Sequence, residues 1–184
     1  MSTATKIKHS YDDLQRLPDD NQRHELINGD LIMTPAPNVA HQQAVGNLHA
    51  GLHHFITDNR LGNVYTAPLD VVFSSDNVVE PDILFISKGR ADILTPNNVQ
   101  GAPDLIVEVL SPNTEENDRQ IKFCLYEQFG ASEYWIVDPS ALMIEVYSLA
   151  GERYERLGRF SGEEMIQSKV LIGFECQTSE VFEQ

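Results

Sequence analysis

Three charged residues stand among apolar neighbours, and together they define a chemistry. Glu108 lies inside the run LIVEVL, Leu105 to Leu110. In an extended chain Leu105, Val107 and Val109 share one face while Ile106, Glu108 and Leu110 share the other, so the carboxylate sits on a strand that is apolar on both sides. Burying an ionised carboxylate without a partner costs several kcal/mol or forces it to protonate, so a chain that keeps one there supplies a metal, a cation or hydrogen bonds. Asp82 follows Pro81 at the start of a second apolar strand and shares a face with Leu84 and Ile86. Lys122 lies on the helical segment just after Glu108. Two carboxylates from neighbouring strands can hold a hard divalent cation such as magnesium, which prefers oxygen ligands and keeps several waters. A lysine nearby can orient a water and stabilise an anionic transition state. The set suits metal-assisted hydrolysis of a phosphodiester.

Each residue also has a plainer reading. Glu108 could be a structural carboxylate paired with Lys122 or with backbone donors, and Asp82 a turn residue. Lys122 stands four residues after Asp118, a helix-surface pairing worth a few tenths of a kcal/mol. The company of Asp82 and Glu108 raises both above these readings. Asp70, Glu133 and Asp138 are read as structural, His53-His54 as a solvated helix face, and Tyr134 and Trp135 as core aromatics.

The elements that must position these groups follow from the chain's pattern. Ser10 caps a short helix, YDDLQRL, with Asp12 and Asp13 in its first turn where the macrodipole favours them, and residues 18–21 end it. In RHELINGDLIMTP, which carries Glu25, the pair Asn28-Gly29 between apolar segments predicts a two-residue hairpin turn. Between residues 38 and 59, Ala44, Val45, Leu48, Leu52, Phe55 and Ile56 recur at three- and four-residue steps, a helix with His41 at the start of its apolar stripe. Residues 63–73 read as one strand, and VVEPDILFIS as the strand that carries Asp82 near its start. Residues 88–102, with Gly89, Pro96 and Gly101, read as a loop with one helical turn. After Leu105 to Leu110, a helix starts around residue 113 or 114, with Ile121, Cys124, Leu125, Gln128 and Phe129 as its buried stripe; Asp118, Lys122 and Tyr126 lie on its flank, and Gly130 ends it. EYWIVDP is a core strand stopped by Pro139, and LMIEVYSL with ERYERLG forms a hairpin around Ala150-Gly151. The tail, residues 169–182, reads as a short strand and a final helical turn.

Composition sets the frame. At 184 residues, 41% apolar and 22% charged, the chain reads as one α/β domain spanning 1–184, with residues 1–9 flexible. Its formal net charge of −15 argues against a surface that wraps nucleic acid by counterion release, while leaving room for a local basic groove. Cys124 and Cys176 are far apart and belong to no C-x-x-C pair, so neither a disulfide framework nor a cysteine-rich zinc site is expected. No apolar run approaches the roughly 20 residues that span a bilayer, and MSTATKIKHS lacks a signal's apolar core. A cytoplasmic protein without membrane contact is the reading.

VEPDILF, then PDLIVEVLSP, then DRQIKFCLYEQFGASEYWIVDP, preceded by HELINGDLIMTPAPNVAHQ, resembles the bacterial restriction-endonuclease family within the PD-(D/E)xK nuclease superfamily, over roughly residues 10–180. The order of segments is far more specific than any one short motif. The resemblance implies a restriction endonuclease-like fold, a mixed central β-sheet with flanking helices, and hydrolytic cleavage of DNA. It implies magnesium at Asp82 and Glu108, with manganese as a substitute. After Glu108 and Val109, where the superfamily places its lysine, this chain has Leu110; in relatives of this kind the lysine has moved to the following helix, and Lys122 matches that place. The resemblance also suggests Glu25 as a further acidic member of the pocket, with His41 near it. A homodimer follows if both strands of a duplex are cut. Two alternatives stand beside this enzyme: a non-catalytic interaction protein that keeps the fold, and a hydrolase of small phosphorylated substrates.

Overall fold

The Asn28-Gly29 pair makes the turn its composition predicts. Both residues take positive φ, 52° and 75°, and join β1 (Arg23–Ile27) to β2 (Asp30–Thr34) in an antiparallel hairpin. The computed structural model describes residues 7–18, 22–112 and 114–183. Residues 1–6 and 19–21, on which the expected flexible start and helix end partly fall, and residue 113, one expected helix start, lie outside the described residues. Lys8 and His9 are tied to the hairpin, His9 N–H donating to Gly29 O at 2.8 Å and Lys8 Nζ to Asn28 O at 2.8 Å. Ser10 caps α1 (Tyr11–Leu14) in a reciprocal capping box with Asp13.

The strands divide between two mixed sheets. Residues 63–73 are not one strand but two: β3 (Gly62–Thr66) and β4 (Val71–Ser74) belong to different sheets. Pro68 stands between them, where a residue without an N–H cannot continue a ladder. β5 (Asn77–Val79) and β6 (Ile83–Ser87) are likewise separated, at Pro81. The expected loop at 88–102 contains a 3₁₀ stretch, Lys88–Ile93, and the short β7 (Val99–Gln100). The smaller sheet runs β2-β1-β5-β4-β7. The larger runs β11-β10-β9-β8-β6-β3, built on β8 (Leu105–Val109) and β9 (Glu133–Asp138), which pair in parallel, and the hairpin of β10 (Met143–Ala150) and β11 (Arg153–Ser161).

The two faces of β8 belong to two cores. Leu105, Val107 and Val109 pack with Ala44, Leu48, Leu52 and Ile56 of α2 (Val39–Asp58), which Asn38 caps through the His41 N–H. Ile106 and Leu110 face the other way, with Leu125 and Tyr126 of α3 (Phe123–Phe129) and with Ile27, Val71 and Val79 of the smaller sheet. Gly130, at φ 80°, ends α3 in the left-handed conformation that a residue without Cβ adopts freely. The tail forms α4 (Thr178–Phe182) against α2, and the strand expected before it is reduced to one bridge, Met165 to Gln177. Among the described residues no helix is long and apolar enough to cross a membrane, and both cysteines are free thiols. Glu108 is thus on the side of its sheet that is covered by α3 and the second sheet.

Candidate active site

Asp82 is held by what β6 lacks. The β6–β8 ladder begins at Ile83 opposite Val107, so the Val109 N–H lies beyond its end. Asp82 Oδ2 accepts that N–H at 2.9 Å and a bond from His41 Nε2 at 3.1 Å. Oδ1 faces Arg23 Nη1 at 3.5 Å. Burial pushes the Asp82 carboxyl up, but the His41 and Val109 hydrogen bonds and the Arg23 charge outweigh it and hold the group below the ordinary aspartate range. Asp82 therefore stays ionised.

Glu108 has the opposite balance. Lys122 Nζ donates to Glu108 Oε1 at 3.0 Å and Tyr126 Oη donates to the same oxygen at 2.6 Å. Lys122 also donates to Glu25 Oε1 at 2.9 Å and stands 3.7 Å from Asp118 Oδ1. Glu25 comes from β1 of the smaller sheet, so Lys122 ties the two sheets together through one ammonium group. Glu25, Asp82, Glu108 and Asp118 are all buried, as is Lys122. Burial pushes Glu108 up to about 8; Lys122 opposes the shift, while the charges of Asp118, Asp82 and Glu25 add to it. Burial likewise lifts Asp118 to about 6, against Lys122. Burial disfavours the charged form of Lys122 too, yet Glu108, Glu25 and Asp118 prevail and hold its pKa well above the ordinary lysine value. Lys122 is a permanent cation here.

The helix presents a face other than the stripe its spacing predicts. Ile121 is 40% exposed and Cys124 is exposed, while Asp118, Lys122, Leu125 and Tyr126 are buried. Residues Asn117–Lys122 form a π-helical segment leading into α3. An extra residue per turn shifts which side chains meet the sheet, so a stripe counted at 3.6 residues goes out of register. The charged flank turns inward because Glu108 and Glu25 await it there. Leu110, at the superfamily's usual lysine position, is 6% exposed and packs in the apolar core with Ile106 and Leu125.

A cavity of about 20 Å³ lies among these groups, lined by Arg23, His41, Asp82, Glu108, Asp118 and Lys122 together with Ser111 and Thr114. That is room for about one water or ion. Among the described residues no three His, Cys, Asp or Glu side chains are gathered to hold a metal ion. Magnesium asks for less, binding through one or two carboxylates with waters completing its shell. The donors fit such an ion in chemistry and in charge: an ionised Asp82 and a Glu108 whose pKa is raised first by burial and then by the neighbouring acids, an imbalance a divalent cation would relieve.

Asp82, Glu108, Lys122 and Glu25 are therefore brought together, with His41 bonded to Asp82. Sequence reasoning overlooked Arg23 and left Tyr126 on the helix flank. Both carried a signal: Arg23 stands two residues before Glu25, on the same face of β1, and Tyr126 four residues after Lys122. The remaining acids lie elsewhere. Asp70 accepts from Tyr11, Asp138 accepts the Ser140 and Ala141 N–H groups of a turn, and Glu133 is bonded inside the opposite core. His53 and His54 are exposed, and Tyr134 and Trp135 are buried.

The two-sheet mixed α/β fold is restriction endonuclease-like, and the acid pair and the lysine converge in it where the β6–β8 ladder ends. Residues 11–179 match the Uma2 family, described as "Putative restriction endonuclease", and the chain belongs to it. It is 26% identical over 164 residues to the uncharacterized protein sll1609 of Synechocystis sp., covering 87% of this chain and 91% of that one. In fold it matches the crystal structure of "a putative nuclease belonging to DUF820" from Anabaena variabilis, with a TM-score of 0.79 at 19% identity, over 94% of this chain and 97% of the other.

Proposed function

We propose that the protein is a cytoplasmic, magnesium-dependent endonuclease that hydrolyses phosphodiester bonds in DNA, with Asp82 and Glu108 as metal ligands and manganese as a substitute ion. The observation that supports it most is the position of Lys122, which reaches Glu108 from the helix at 3.0 Å although the strand itself offers Leu110. Magnesium, when bound, supplies polarisation of a phosphoryl oxygen and neutralises charge as the bond breaks.

The protein's own groups do the rest. Asp82 is kept ionised and oriented by Val109 and His41. Lys122 has three N–H donors; Glu25 and Glu108 take two, and the third, with Asp118 at 3.7 Å and beyond hydrogen-bond length, would serve the attacking water or the developing oxyanion on the cavity side. Being permanently charged, Lys122 works as cation and donor rather than as base. Glu25 fixes the lysine, and is itself fixed by the Glu80 N–H at 2.8 Å. Water adds to phosphorus as the ester P–O bond breaks, giving a phosphate monoester and a hydroxyl. A homodimer would place two such sites for a cut in both strands.

The test is cleavage of supercoiled plasmid with magnesium or manganese, alongside calorimetric titration of either ion. Asp82→Ala and Glu108→Ala should abolish cleavage, a loss of at least about 100-fold, while circular dichroism shows the fold retained. Unchanged cleavage in both variants would overturn the proposal. The net charge of −15 supports a second reading, hydrolysis of small phosphorylated substrates, since these avoid docking a long polyanion. Activity on nucleotides without activity on DNA selects it. Absence of metal binding at millimolar concentration selects a non-catalytic interaction protein instead.

A further inference from the structure

A second cavity, of about 240 Å³, opens beside the first and shares with it Arg23, Pro37, His41 and Asp82. We infer that this cleft is a subsite for one unstacked nucleotide next to the reacting phosphate, with Arg23 as its phosphate anchor, so that the substrate is single-stranded or locally opened DNA rather than continuous duplex. The inference rests on the nuclease reading given above and deepens it.

Four features carry it. The shared wall places whatever fills the cleft directly beside Asp82. The size is below the roughly 300–1,000 Å³ of sites that enclose drug-sized ligands, which suits one base and excludes a duplex. The chemistry of the wall is that of a base pocket: Pro37, Val45, Ala67 and Pro68 offer flat apolar contact, while Gln42 and Thr66 offer polar edges. Finally, His41 is 6% exposed, and its Nδ1 is buried with no hydrogen-bond partner, while Nε2 is engaged by Asp82. His41 lines both cavities, so an imidazole with one ring nitrogen unused by the chain stands beside whatever fills the cleft.

Arg23 is built to meet an anion there. Its Nε donates to Glu80 Oε2 at 3.1 Å and its Nη2 to the Glu80 carbonyl oxygen, which fixes the guanidinium plane. Nη1 stands 3.5 Å from Asp82 Oδ1, longer than a hydrogen bond, and so keeps donors to give. Arg23 is the one permanent cation lining this cleft among the described residues. In a chain of net charge −15, a polyanion has to be received at such a point.

The experiment is fluorescence anisotropy of a labelled oligothymidylate, free and annealed to its complement, titrated with the full chain in EDTA over a salt series. The wild type should bind the free strand at least about tenfold more tightly than the duplex. Gln42→Trp, at an exposed position of α2 on the rim of the cleft, should weaken single-strand binding about tenfold. Ala50→Trp, exposed on the same helix but away from the cleft, should leave it unchanged. Arg23→Met should weaken binding and lower the slope of log Kd against log salt by about 0.7, the share of one phosphate contact on a single strand, and Arg23→Lys should restore the slope. A merely structural Arg23 would move the melting temperature and leave the slope alone. Duplex bound as tightly as single strand, wild-type binding in Gln42→Trp and Arg23→Met, or no binding by the wild type would each overturn the inference. Plasmid cleavage and magnesium titration of the wild type separate the two claims, since normal results there alongside any of these failures would remove the subsite and leave the nuclease reading standing.

Discussion

Two buried glutamates lie on adjacent parallel strands, one on each face of the larger sheet, and they are treated in opposite ways. Glu133 of β9 is fully buried and is completed by neutral donors. Its Oε1 accepts Trp135 Nε1 and Ser168 Oγ, each at 2.7 Å, and its Oε2 accepts the N–H groups of Lys169 at 2.7 Å and Val170 at 3.2 Å. Glu108 of β8 is crowded by three other buried acids, Glu25, Asp82 and Asp118, and shares one ammonium group with two of them, Glu25 and Asp118. A carboxylate whose task is to hold a fold receives enough dipoles to close its shell. One left in competition for a cation is poised to take another. The difference teaches that burial alone does not mark a site; what marks it is burial with the electrostatics unresolved.

The comparison can be broken at either pole. Glu133→Ala strands the buried Trp135 N–H and three part-buried donors and should cost about 3 kcal/mol in urea unfolding; a loss below 1 kcal/mol would mean that Glu133 does not organise residues 168–170. Lys122→Met should lower metal-dependent cleavage by about 100-fold or more, a loss of about 3 kcal/mol in transition-state stabilisation. Near-normal turnover in that variant would remove the lysine from the chemistry and leave it as a clamp between the sheets.

Glu108→Gln tests the unresolved pole through pH. The folded-state pKa of Glu108, about 8, lies above its unfolded value near 4.5, so its contribution to stability is intact below about pH 4.5 and is lost as pH rises through about 8. In EDTA the variant should therefore gain on the wild type across that window, by up to about 1.4 kcal/mol per pH unit, and the gap should then level off. A gap independent of pH, read from urea unfolding between pH 5 and 9, would show that Glu108 is already resolved. The smallest effect belongs to Tyr126→Phe, which removes the 2.6 Å bond to Glu108 and should cost about 1–2 kcal/mol. Its infrared carboxyl band should shift with it.

Much of this was legible along the chain. Asn28-Gly29, the α2 stripe, the β10–β11 hairpin and the Gly130 stop are each decided within a few residues by φ preferences and periodicity, and each formed as read. Asp82 after a proline and Glu108 inside an apolar run announced themselves because a charge among apolar neighbours violates the local pattern. The π-helical turn that rotates Lys122 inward left no such mark, and neither did the division of residues 63–73 between two sheets. In both cases the deciding contacts come from elsewhere in the chain.

What the sequence by itself determined, then, is the set of elements and the residues that do not belong comfortably within them, since propensity, capping and alternation act over a turn or a strand. Only the tertiary structure decided which of those residues meet. Glu25 and Lys122 are 97 positions apart and Asp82 and His41 are 41 apart. Their pairing depends on the two sheets closing over the helix that carries Lys122 and on α2 packing against the other face of the larger sheet, where burial makes each charge answer to its neighbours.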